Sequence, residues 1–160
     1  MPKRMLLAIL AVAALALAGT AYAGTPGPHA KPHGHERTIR LVEASATPDP
    51  AFLDLGEPGP SAGDQVIVTD GLVFEDGTAA GRLSQVCTLT VPGPNPVGGT
   101  FECVGSIVLQ NGTITIAGPF SPAAADQAQA VTGGTGAFRA AGGEASIRAE
   151  DDLIVVRLAG

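Results

Sequence analysis

The chain has 160 residues, 22 of them glycine and 13 proline, with no tryptophan and a formal net charge of −6 at pH 7. That length is enough for one domain with its own core, and an acidic chain with scattered arginines excludes a nucleic-acid partner held by phosphate contacts. No nucleophile–base–acid set, phosphate loop or metal-ligand spacing stands out, which argues against hydrolase, kinase and metalloenzyme classes and against a cofactor.

In chain order, Lys3 and Arg4 come first, then an apolar run over residues 5–18, then Ala21-Tyr22-Ala23. This is the order of a secretory signal peptide, and the run is short for a bilayer span. Residues 1–23 are therefore expected to be removed. The mature chain, with 7 basic and 15 acidic residues, is expected to be secreted, extracellular or in the cell envelope, with no membrane association. Residues 24–37 are proline, glycine and polar groups and read as a disordered leader. Its His29, His33 and His35 have no carboxylate or cysteine at ligand spacing, so no metal site is expected. The folded domain is then 38–160.

Beyond residue 38 no helical repeat of apolar residues occurs, and the natural class is all-β. Strands are expected over 38–43, 64–74, 81–91, 100–110, from 113 onward, 128–131, 144–149 and 153–158. Residues 44–63, with four prolines and three glycines, read as a long loop folded over a barrel mouth. Residues 75–78 and Asp151-Asp152 are turns, and the proline-rich stretch 91–99 is a loop no strand crosses. Asn111-Gly112 reads as a two-residue type I′ turn, placing Leu109 opposite Ile114 and Ile107 opposite Ile116. Eight strands with mainly short connections make a single eight-stranded antiparallel β-barrel with an apolar interior cavity, and the small inward residue Gly105 leaves room for it.

Cys87 and Cys103 fall on inward faces of neighbouring strands. Val91 set opposite Thr100 leaves them one residue out of step, so a one-residue adjustment in the loop is needed to bring them together. In an exported protein a Cys87–Cys103 disulfide is expected, and a free, low-pKa thiol in a pocket is the rival reading. Residues 131–145 carry five glycines between Gly133 and Gly143. They imply bends at 133–136 and 142–143, with one helical turn between them seating Phe138 in a core. A phosphate cradle would need a helix to follow, and here a strand follows.

Residues 131–143 also resemble the V-x-G-G-T-G-x-F-x-x-A-x-G signature of the allene oxide cyclase and dirigent barrel superfamily. Gly63-Asp64-Gln65-Val66 is similar to the G-D-x-V of allene oxide cyclases, and Gly81-x5-Cys87 matches their glycine–cysteine spacing. Phe101-Glu102-x3-Ser106 and Ile114-Thr115-Ile116-x-Gly118-Pro119-Phe120 resemble their Y-E-x3-S and I-S-V-Q-G-P-Y segments. The resemblance runs in order from about residue 39 to 158. It implies the same eight-stranded barrel and suggests a homotrimer. It also implies a confinement catalyst, in which the barrel orients a molecule and removes it from water.

The resemblance places Glu43 at the family's first-strand glutamate, proposed there to assist epoxide ionisation. Asp70 replaces the asparagine that holds a pocket water, and Ser45 replaces another asparagine. Glu43 and Asp70 are the catalytic candidates. Cys87 matches a pocket cysteine, whereas Cys103 is this chain's own addition. Gly105 stands where an aromatic is expected. Phe101 and Arg139, the latter following the dirigent form G-G-T-G-x-F-R, are the ligand-binding candidates. Plainer readings make Glu43 the end of an exposed strand, Asp70 a turn residue before Gly71, and Arg139 a surface residue. The expected partner is a small apolar molecule, bound and steered through an intramolecular cyclisation or isomerisation. The alternatives are a non-catalytic carrier and a structural barrel with a filled core.

Overall fold

The computed structural model describes residues 36–44, 50–95, 98–148 and 150–160. The expected signal peptide, the histidines of the leader, Ser45 and Ala149 lie outside the described residues. Nine strands follow one another: β1 Arg37–Ala44, β2 Ala51–Leu53, β3 Gln65–Val73, β4 Ala79–Val91, β5 Thr100–Leu109, β6 Gly112–Phe120, β7 Asp126–Gly134, β8 Gly143–Arg148 and β9 Leu153–Leu158. They form one sheet in the order β1-β9-β8-β7-β6-β5-β4-β3-β2, and β1 also pairs with β3. Eight antiparallel strands thus close into a barrel, and β2 is added outside the ring.

The short β2 lies inside the stretch that reads as a loop between its prolines. Its cause is the closing seam. β1 covers only Val73, Leu72 and Gly71 of β3. The other end of β3 would be an open edge, and Ala51, Phe52 and Leu53 pair with Ile67, Val66 and Gln65 there.

Alternation decides what faces inward. Ile39 and Leu41 of β1, Leu83, Cys87 and Leu89 of β4, Phe101, Cys103 and Ile107 of β5, and Ile154 and Val156 of β9 are all buried. Val91 breaks the pattern at 60% exposure. Thr90 is an extra residue between the Leu89–Phe101 and Val91–Thr100 pairs, and this bulge turns Val91 outward. The same bulge supplies the one-residue adjustment expected in the loop. Cys87 therefore stands opposite Cys103, and the two are joined in a disulfide with Cα atoms 4.0 Å apart.

The β5–β6 hairpin departs from its expected register. Leu109 pairs with Gly112 and Ile107 with Ile114, so the two-residue turn is Gln110-Asn111. Neither turn residue has positive φ, so the turn is not type I′. A shift of two residues per pair leaves every side chain on its expected face, which is why the core still forms. Gly112 serves a different purpose. A Cβ there would overlap the Thr135 carbonyl oxygen and press the Phe138 ring.

That contact closes one end of the barrel. After β7 the chain makes a single 3-10 turn, Gly136–Phe138, which donates from the Ala137 N–H to the Asn111 carbonyl at 2.9 Å. Phe138 is 2% exposed and packs with Ile39, Ile107, Ile114, Ile116 and Leu158. Burying a side chain of this size contributes about 2–3 kcal/mol. Ala140 takes up the chain reversal at φ 60°, a role the sequence gives no glycine.

Candidate functional site

At the other end the same strands leave a cavity of about 320 Å³. Val66, Val68, Leu83, Phe101, Phe120 and Ile147 form its apolar wall, with Cys87 of the disulfide beside them. Inward positions repeat every second residue, so apolar side chains of β3, β4, β5, β6 and β8 converge on this space. Glu43, Asp70, Arg148 and Asp152 add charged groups to the lining. With Cys87 bonded to Cys103, the cavity offers no thiol at that wall.

Glu43 lies near the end of β1, paired with Leu72, and its N–H donates to the Asp152 carbonyl at 2.9 Å. Its carboxyl is pushed up to about 7, first by burial, then by the negative charges of Asp70 and Asp152. A carboxyl group with that pKa is present in both protonation states near neutral pH. It is able either to give or to take a proton at the cavity wall. Arg148 is engaged by Asp151 at 2.6 Å and lies 4.0 Å from Asp126.

On the wall of the same cavity Gln85 of β4 meets Gln129 of β7, with Gln85 Nε2 donating to Gln129 Oε1 at 2.8 Å. They are 5% and 2% exposed. Both stems lie against glycines. A Cβ at Gly105 would stand 3.0 Å from Cβ and Cγ of Gln85, and one at Gly118 would stand 3.2 Å from Cα of Gln129. Gly105 therefore accommodates Gln85 and does not simply widen the cavity.

The structure brings Glu43, Asp70, Phe101 and Cys87 onto one cavity. Asp70 sits within β3 and pairs with Leu83, so it is a strand residue. Arg139 follows the 3-10 turn at the opposite, closed end and is exposed. Asp64, of the Gly63-Asp64 motif, does not line this cavity. It is fully buried and accepts from the N–H groups of Leu55, Gly56 and Ser61 and from the Ser61 hydroxyl. The N–H groups of Leu55 and Ser61 hold its carboxyl below the usual range. Its role is to fold the 54–64 loop onto the barrel. Gln85, Gln129, Arg148 and Asp152 were not singled out from the sequence. For the two glutamines a signal existed, since each is a polar residue at an inward position of an apolar strand.

A family model for the allene oxide cyclase barrel like domain matches residues 39–157. A search of curated proteins gives no match. Among solved structures, a pyocyanin demethylase is similar over 78% of this chain and 99% of its own, with 26% identity and a TM-score of 0.61. A pterocarpan synthase dirigent protein is similar over 78% of this chain and 90% of its own, at 18% identity and a TM-score of 0.50. A heme-binding cyclase catalysing a [4 + 2] cycloaddition in neoabyssomicin biosynthesis covers 78% of this chain with 65% of its own, at 12% identity and a TM-score of 0.51. These last two likenesses are of fold.

Proposed function

Because the chain belongs to the allene oxide cyclase barrel like family, we propose that it binds a small, mainly apolar molecule in the open half of its barrel. There it steers an intramolecular cyclisation or isomerisation by confinement. The observation that carries this reading is one cavity of about 320 Å³ whose apolar wall holds a carboxyl group, Glu43, with its pKa pushed up to about 7. The wall takes the body of the ligand out of water and fixes its conformation. Glu43 moves a proton to or from the atom that changes bonding, and its burial, then the charges of Asp70 and Asp152, set the pH at which it does so. A relative named for demethylating pyocyanin, at 26% identity, supports an enzymatic use of such a barrel over a purely structural one.

A non-catalytic carrier would use the same wall without needing Glu43. Incubation with an unsaturated epoxy fatty acid tests both. A chiral cyclopentenone from the native chain and a racemic one from Glu43→Gln supports catalysis. A racemic product at the spontaneous rate from both rejects cyclase activity on that substrate. Retention of the acid by both proteins then favours the carrier.

We also propose that the mature protein is exported, on the signal sequence of residues 1–23, and that it associates with copies of itself. Ile67, Val86, Val104, Ala117 and Ala130 stand in register across the outer faces of five strands, and Val104 is 62% exposed. Sedimentation of the mature chain at micromolar concentration checks this, and a single monomer peak would reject it.

A further inference from the structure

The glutamine pair at the cavity wall is unfinished as a hydrogen-bond network. Gln85 lines the cavity, and Gln129 is bonded to it. Gln129 Nε2 is shut away from solvent and has no hydrogen-bond partner. A buried N–H without an acceptor is a rarer and costlier defect than an under-used carbonyl, which has lone pairs to spare. Neither amide was put there by crowding, because Gly105 and Gly118 clear space for both stems.

A half-turn of both terminal amides repairs the defect. Gln129 Nε2 then donates to Gln85 Oε1, and the Gln85 amide nitrogen becomes the group turned to the cavity. That nitrogen carries hydrogens and requires an acceptor. A ligand carbonyl or an unprotonated ring nitrogen supplies one. A ligand that only donates instead holds Gln85 in the first orientation and leaves the Gln129 N–H unpaired.

We propose that Gln85 and Gln129 form a polar subsite on the wall of the cavity, which selects an apolar molecule carrying a hydrogen-bond acceptor. The inference rests on the cavity being a ligand site, as proposed above, and names the class of ligand: a flat or chain-like apolar body with a carbonyl or imine-type nitrogen. Gln85 contacts the acceptor. Gln129 acts through Gln85 as a positioning residue.

Two probes of nearly the same shape test it by calorimetric titration. They are 2-methyl-1,4-naphthoquinone, which only accepts hydrogen bonds, and 2-methylnaphthalene, which does neither. The native protein is expected to bind the quinone roughly 5- to 10-fold more tightly, the value of one added hydrogen bond. Gln85→Met combined with Gln129→Met removes both amides together and leaves no orphan. This variant is expected to bind the two probes within about 2-fold of each other. Equal binding of both probes by the native protein overturns the subsite while leaving the cavity a ligand site. So does a quinone preference that survives the double variant. If neither probe binds, both the subsite and the reading beneath it fail. The infrared carbonyl stretch of quinone bound to the native protein gives a check that needs no variant. A shift to lower frequency than in cyclohexane supports the bond, and an unshifted band contradicts it.

Discussion

At the end of the barrel that carries the Gln110-Asn111 turn, Phe138 is buried in one core cluster with Ile39, Ile107, Ile114 and Leu158. At the end that carries the Asp152 turn, the same strands present Val66, Phe101, Phe120 and Ile147 around about 320 Å³ of space. The strands and the alternation are common to both ends. The difference lies in what enters from outside. One end receives a bulky aromatic side chain on a 3-10 turn, docked through a glycine, whereas at the other, among the described residues, the loop prolines Pro50 and Pro122 line the cavity. The closed half supplies packing, and the open half holds the cavity. A barrel with a filled core throughout thus describes only one of its ends.

If that division holds, damage to the closed end should cost stability, and changes at the open end should move chemistry and its pH dependence. Phe138→Ala empties the plug and is expected to lower unfolding free energy by about 3–5 kcal/mol in urea titration. A loss below about 1 kcal/mol would mean that the plug is not the anchor of this end. Replacing both Cys87 and Cys103 by serine opens a link across 16 residues and is expected to cost about 3 kcal/mol. Unchanged stability in the double variant would show that the link constrains little.

Glu43→Gln is expected to act in the other direction. The Glu43 carboxyl is raised in the folded protein from 4.5 to about 7, so the folded state holds its proton over a range where the unfolded chain has lost it. Its contribution is therefore fully present below about pH 4.5 and is lost as pH rises through about 7. The glutamine variant should match the native protein at pH 4 and exceed it by on the order of 2 kcal/mol at pH 8. A constant difference across that range would contradict the electrostatic account. The smallest effect is at the rim of the plug, where the Arg37 guanidinium lies 5.2 Å from the Phe138 ring centroid. Arg37→Ala should cost about 0.5–1 kcal/mol, measured by the same titration, and leave the pH dependence unaltered.

Much of this division is legible in the sequence. Alternating residues reveal the inward faces of β1, β4 and β5, because strand period survives an error of two in register. The β5–β6 hairpin is the case in point, since Gly112 reads as a turn residue but is needed for its close approach to Thr135. Phe138 stands out because glycines bracket it. The Cys87–Cys103 pair was legible too, although the bulge that aligns it is at Thr90, within the strand. β2 was not legible, because only three residues between prolines and an exposed loop take part, and they form a strand to cover an edge that exists only once β1 and β3 have met. At the site, Glu43 and Asp70 emerge only by resemblance. Their electrostatic coupling depends on distances that strand spacing does not set. Gln85 and Gln129 lie 44 positions apart and meet because two strands between them carry glycine.

The open half is proposed as the ligand site, and the closed half is not. Amide chemical-shift mapping of the mature protein during titration with 2-methylnaphthalene tests it most directly. The account predicts saturable shifts at Val66, Val68, Leu83, Cys87, Phe120 and Ile147, with Ile39, Ile114 and Phe138 unmoved. Shifts centred on Phe138, or none at saturating hydrocarbon, would contradict it.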